Sequence, residues 1–269
     1  MEIINYNYVE NYLLAQQAKG IYWFVPDELC KAFQASPNAI KKTLQRLHAK
    51  KKVVRIRREF YVIIPPEYSA TGILPASLYI HALMKFLKRD YYVGLYSAAA
   101  LHGASHQQPQ DFCVVTKKPF LRNIRNKKVV IHFAIKKEWD SKDVIEKKSD
   151  TGYIKVSSPE LTALDVVYFQ DNVGGLNRVA TILDELAEEI NSEKLTETAG
   201  RYGQIATVQR LGYFLEEVLQ HKDKTEPLYN WLKKQVDYPV FLKAGKKIKR
   251  MNTNNRWKVI KNFSPESDL

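Results

Sequence analysis

Residues 36–64 read SPNAIKKTLQRLHAKKKVVRIRREFYVII. From Lys41 to Arg58 they hold nine lysines and arginines and no acid, yet their apolar residues keep two strict rhythms. A disordered basic tail has no reason to keep either. Ile40, Leu44 and Leu47 are spaced four and three apart, which makes one inward stripe of an α-helix and leaves Asn38, Lys41, Lys42, Gln45 and His48 off it. Ser36 before Pro37 predicts the helix start, because the hydroxyl can accept an early backbone N–H while proline supplies a helical φ without needing its missing donor. The helix is predicted to end near Lys50. Val54 and Ile56 then alternate with Arg55 and Arg57, and "RRE" turns the chain into "FYVII", a short hairpin with one basic face.

Two helices are expected ahead of this segment. Ile3, Ile4, Tyr8, Tyr12, Leu13 and Ala15 follow a helical period that Gly20 closes, and Pro26, Asp27 and Glu28 open a second helix that runs to about Phe33. Three helices followed by a hairpin is the plan of a winged helix-turn-helix over residues 1–64. Such a unit presents the early polar residues of its third helix to base edges in the ~12 Å major groove, while basic residues on helix and wing hold phosphates. Asn38, Lys41, Lys42 and Gln45 are the groove candidates, and Ser36 at the helix start is counted with the DNA-binding residues. Lys50, Lys51, Lys52, Arg55, Arg57 and Arg58 are placed for backbone contacts, which position a protein without reading much sequence.

The whole chain leans the same way. Its 269 residues carry 42 lysines and arginines against 29 acids, a formal net charge of +13, which favours an anionic partner. Two cysteines, Cys30 and Cys113, are too few for a disulfide framework, so a reducing cytoplasm is the expected home. The first twenty residues lack the pattern of a secretory signal, and no stretch approaches the ~18 apolar residues of a membrane helix. No membrane partner is expected.

"PPEYSATGILP", residues 65–75, reads as a linker, and residues 76–269 as a second, mixed α+β domain. Helices are expected at 76–89 and 93–102, strands in "DFCVVTKK", "KVVIHFAIKK" and "TGYIKVS", and helices again from Pro159 onward with Ser158 as a cap. Residues 184–197 hold six acids and one lysine, while residues 241–261 hold eight basic residues and no acid. That tail, Lys243 to Lys261, is a candidate second nucleic-acid contact.

No catalytic constellation emerges, and no cofactor or metal is expected. His102 and His106 sit four apart, but Gly103 ends the helix between them and no third ligand is near, so both read as structural or hydrogen-bonding histidines. Asp111 before "VVTKK" is only a loose match to a metal-dependent nuclease, since the next carboxylate is Glu138. Glu160 and Asp165 read as capping and surface charges.

Three phrases then carry a family resemblance: "YYVGLYSAAALHGASHQQPQDFCVVT" at 91–116, "VSSPELTALDVVYF" at 156–169 and "GGLNRVATILDEL" at 174–186. Behind a winged helix, they resemble the AbiEi family of antitoxins, the regulator half of type IV abortive-infection toxin–antitoxin pairs. The resemblance implies a non-enzymatic protein of two parts. Its winged helix would bind inverted repeats in its own promoter, as a dimer or cooperatively, and repress transcription. Its C-terminal antitoxin domain would oppose a nucleotidyltransferase-like toxin, with or without direct contact. The alternative is a stand-alone winged-helix regulator whose C-terminal domain binds a ligand or a protein.

Overall fold

A computed structural model describes residues 6–104, 111–126, 129–236, 238–243, 245 and 253–266. The chain is of mixed α+β class and divides into two compact units. One comprises residues 1–91, 121–132 and 146–154, the other 92–120, 133–145 and 155–269.

The first unit opens with α1 (Tyr6–Gln17), β1 (Trp23–Phe24), α2 (Pro26–Ala32), α3 (Pro37–Ala49), β2 (Val53–Arg57) and β3 (Phe60–Ile63). The three strands form an antiparallel sheet in the order β1-β3-β2. Val9, Leu13, Phe24, Leu29, Ile40, Leu44, Leu47, Val53 and Ile63 make its core. Each fully buried aliphatic side chain contributes about 1.5–3 kcal/mol, so the α3 stripe alone supplies much of what holds the unit together. Ser36 caps α3 as expected, its hydroxyl accepting the Ala39 N–H at 3.3 Å. Ser36→Ala should therefore cost about 1 kcal/mol in a denaturant melt and Ser36→Gly only a few tenths. Equal losses would show that the hydroxyl does not cap.

Two details of this unit differ from expectation. Tyr8 is 63% exposed, and Val9 takes the inward position with Leu13, because those two share one face and Tyr8 lies a step round the helix. Ile3 and Ile4 lie outside the described residues. In β2 the buried residues are Val53 and Ile56, while Val54 is only half-buried. A bulge between Arg55 and Arg57 breaks the alternation: Arg55 pairs with Tyr61 and Arg57 with Phe60, leaving Ile56 as the extra residue.

Residues 65–75 hold a 3₁₀ turn at Pro66–Tyr68 and the buried Leu74. The helix expected at 76–89 begins as a 3₁₀ turn, Ala76–Leu78, and becomes α4 only over Ile80–Phe86. Next come β4 (Tyr91–Val93), α5 (Leu95–Leu101), β5 (Asp111–Thr116), β6 (Ile124–Arg125), β7 (Val130–Ile135), β8 (Val144–Ser149) and β9 (Gly152–Ser157). They form a six-stranded sheet of order β6-β7-β5-β4-β9-β8. The three expected strands are present as β5, β7 and β9. The strand β8, VIEKKS, buries no side chain fully, so its sequence lacks the apolar signal of a strand.

The second unit adds α6 (Pro159–Tyr168), α7 (Gln170–Val173), α8 (Leu176–Leu186), α9 (Ser192–Tyr202), α10 (Ile205–Tyr213), a π-helical turn at Phe214–Val218, α11 (Glu226–Leu232), and a short parallel pair, β10 (Val240–Phe241) and β11 (Val259–Ile260). Central among them is α6, buried from Glu160 to Val167 on every side. This corrects the sequence reading of Glu160 and Asp165 as surface charges: they are 3% and 0% exposed. Glu160 accepts the Asn191 N–H at 3.1 Å, and Asp165 accepts from Tyr92, Lys136 and Tyr202 at 2.6, 2.7 and 2.9 Å. A carboxylate tolerates such burial only when its lone pairs are filled in this way. No described helix is long and apolar enough to cross a membrane.

Candidate nucleic-acid interface

The outer face of α3 is polar because its inner face is not. Asn38, Lys41, Gln45 and His48, spaced three, four and three apart, form one exposed stripe, and Lys42 lies exposed beside it. The stripe spans about 15 Å along the axis, comparable to the width of a major groove. His48 closes it by donating from Nδ1 to the Val53 carbonyl at 3.1 Å, which ties the end of α3 to the first strand of the hairpin. Lys51 turns the chain there with φ of 57°.

Between α3 and the hairpin lies an open cleft of about 570 Å³. Leu44, Val54 and Tyr61 give it an apolar floor, and Lys41, Gln45, Lys51 and Arg55 a polar rim. Gly72 and Asn126, from outside the three helices and their hairpin, complete the wall. His48, Tyr61, Gly72 and Asn126 were not among the candidates read from the sequence. Tyr61 and His48 fall in the right periods to have been found, whereas residues 72 and 126 reach the cleft only through the fold.

The eleven candidates do not all stand in one condition. Asn38, Lys41, Lys42, Gln45, Lys51, Arg55 and Arg58 are exposed, with Arg58 in the hairpin turn. Ser36 and Lys50 are exposed as well, but Ser36 spends its hydroxyl on the cap and Lys50 is the C-cap residue of α3. Lys52 is paired with Glu10 of α1. The bulge turns Arg57 away from Arg55, leaving it half-buried with Nη1 donating to the Arg122 carbonyl at 3.3 Å. Arg55 is therefore the cleaner probe of a phosphate contact, since replacing Arg57 also removes an internal bond.

Several ionisable groups of the second unit are held in internal pairs. His102 Nε2 bonds the Ser157 carbonyl at 2.8 Å, and His106 lies outside the described residues. Arg201 donates to both oxygens of buried Asp143, at 2.6 and 3.2 Å. Burial pushes the Cys113 thiol up to about 12, so it stays protonated and unreactive at neutral pH. In the tail, Arg256 pairs with Glu216 and Glu226, Lys258 donates to the Val236 carbonyl at 2.9 Å, and Lys243 lies 5.2 Å over the Phe263 ring. Residues 244 and 246–252 of the expected tail contact lie outside the described residues. Among the described residues no three His, Cys, Asp or Glu side chains are grouped to hold a metal ion.

Residues 92–217 match the model of the AbiEi antitoxin C-terminal domain, the family that the phrases at 91–116 and 156–186 resemble. The match supports an antitoxin role in a toxin–antitoxin system. No curated protein matches the chain. Its fold is similar to that in the crystal structure of the RV2827C protein from Mycobacterium tuberculosis, with a TM-score of 0.64 and 13% identity over 94% of this chain and 90% of that one.

Proposed function

We propose that this chain, with an AbiEi antitoxin C-terminal domain over residues 92–217, is the DNA-binding, non-enzymatic antitoxin of a type IV toxin–antitoxin pair in the cytoplasm. Residues 1–64 act as a winged helix-turn-helix on the promoter of its own operon. The helix α3 enters the major groove with Asn38, Lys41, Lys42 and Gln45 toward the bases, and Lys51, Arg55 and Arg58 hold the flanking phosphates. Residues 76–269 counteract a nucleotidyltransferase-type toxin. One winged helix reads only a few base pairs, so repression calls for two copies on an inverted repeat. The observation that carries the reading is the exposed face of α3, acid-free and set beside a cleft rimmed by Lys41, Lys51 and Arg55. Such a concentration of like charge costs self-repulsion that a face meant only for water has no reason to retain.

The test is a titration of the full chain on its own upstream DNA and on scrambled DNA at two salt concentrations. The upstream duplex should be preferred at both. The double variant Lys41→Ala/Arg55→Ala should weaken binding, lower the slope of log affinity against log salt by about 1 through the phosphate contact of Arg55, and narrow the preference for the upstream duplex through the base contact of Lys41. Equal, salt-labile affinity of the wild type for both duplexes would refute promoter reading.

A further inference from the structure

We propose that residues 121–126 and 129–132 are a second wing: Arg122 and Arg125 carry the nucleic-acid surface beyond the first hairpin and hold phosphates flanking the site that α3 reads. The inference rests on the DNA-binding reading above. It starts from a sequence fact, that residues 112–137 hold eight lysines and arginines and no acid. The fold then gives these residues a place. Ile124 and Arg125 of β6 pair antiparallel with Ile131 and Val130 of β7. The turn is closed twice over, by Asn126 N–H donating to the Val129 carbonyl at 3.0 Å and Val129 N–H donating to Asn126 Oδ1 at 2.9 Å.

The hairpin has an inner and an outer side. Leu121, Ile124, Val129 and Ile131 are buried, while Arg122 and Arg125 are exposed. Although 65 residues separate them in sequence, Arg57 of the first hairpin donates to the Arg122 carbonyl, so the two hairpins meet at that bond. The bulge in β2 makes this possible, because an extra residue re-aims the side chain that follows it. Asn126 lines the same cleft as Lys41, Gln45 and Arg55. A phosphate backbone lying along that cleft leaves it beside Asn126, the chain neighbour of Arg125. Arg122 and Arg125 meet no carboxylate within ion-pair distance among the described residues, so their charge is available to a polyanion.

Contacts of this kind position without reading sequence. The full chain carrying Arg122→Ala/Arg125→Ala should lose the same factor in affinity on upstream and scrambled duplexes, and its salt slope should fall by about 2. Lysine at both positions should restore most of the slope. On an upstream duplex trimmed to the base pairs under α3, the same variant should match the wild type. Both side chains are exposed, so the thermal midpoint should not move. An unchanged slope in this variant, alongside a clear loss in Lys41→Ala/Arg55→Ala, overturns the second wing and leaves the DNA-binding reading standing. A loss confined to the upstream duplex also overturns it, since the hairpin would then read bases. If neither double variant changes binding, the DNA-binding reading falls first and takes the second wing with it.

Discussion

Asp165→Ala is expected to destabilise the second unit by about 3–5 kcal/mol, the range found when one partner of a buried ion pair is removed. Three donors converge on this one carboxylate. Tyr92 gives its hydroxyl hydrogen to Oδ2 at 2.6 Å, and Lys136 Nζ and the Tyr202 hydroxyl donate to Oδ1 at 2.7 and 2.9 Å. The Lys136 side chain is only 11% exposed, and its ammonium lies 4.0 Å over the Tyr202 ring. Without Asp165 that charge has no counterion, and the ring face recovers only part of the loss. At about 2–4 °C per kcal/mol for a unit of this size, the midpoint should fall by roughly 6–20 °C in a circular dichroism melt. Removing both charges, as Asp165→Leu/Lys136→Met, should recover a large share, because the penalty lies in the unpaired ion. A midpoint within the error of the wild type in Asp165→Ala would mean that water replaces the carboxylate.

The same network contributes to the alkaline limit. Burial first, and then the Asp165 charge, raise both Tyr92 and Tyr202 well above the ordinary tyrosine value of 10.0. Below that value both tyrosines are protonated in the folded and unfolded chains. Above it the unfolded chain loses protons that the folded chain keeps, so stability falls with rising pH from about 10 upward. A stability that stayed flat to pH 11 would show that both hydroxyls titrate normally in the fold.

Trp257→Ala should cost a similar 3–5 kcal/mol, for a different reason. Its ring is fully buried against α10, so close to Gly212 that a Cβ there would stand 2.1 Å from Cζ3. The glycine is required by this approach, since no real Cβ contact is so short. Around the ring, Tyr229 packs edge-on at 5.6 Å, and Gln209 donates to the Trp257 carbonyl at 3.0 Å. Arg256 stacks 4.3 Å over Tyr229 while pairing with Glu216 in the π-helical turn. The C-terminal segment is thus a strap in which this indole is the buried anchor beside the ion pairs of Arg256. Gly212→Ala alone should displace that ring and be comparably harmful, yet be nearly neutral in a Trp257→Ala background, where the space is already open. Additive losses in the double variant would show that the two residues do not share this contact.

Tail chemistry illustrates why charge patterns are ambiguous in a sequence. Its acid-free composition reads as a nucleic-acid contact, but Arg256, Lys258 and Lys243 satisfy partners of their own chain. The acids that receive Arg256 lie 30 and 40 residues away, beyond the reach of any local pattern. The α3 segment is the opposite case: its residues are likewise acid-free, and nine of its eleven candidates do face solvent.

What the sequence determined by itself is what physics settles within a turn or a strand. The stripe of Ile40, Leu44 and Leu47, the Ser36 cap, the three apolar strands β5, β7 and β9, and the phrases that match an antitoxin domain all depend on residues within a few positions of one another. Tertiary structure decided the rest, because it depends on chain brought together from afar. Asp165 looks like a surface acid on α6 until donors 73, 29 and 37 residues distant enclose it. Arg57 alternates with Ile56 in the sequence, but a bulge turns it toward residue 122. Periodicity assigns a side chain to a face, but the neighbours that bury, pair or expose that face come from elsewhere in the chain.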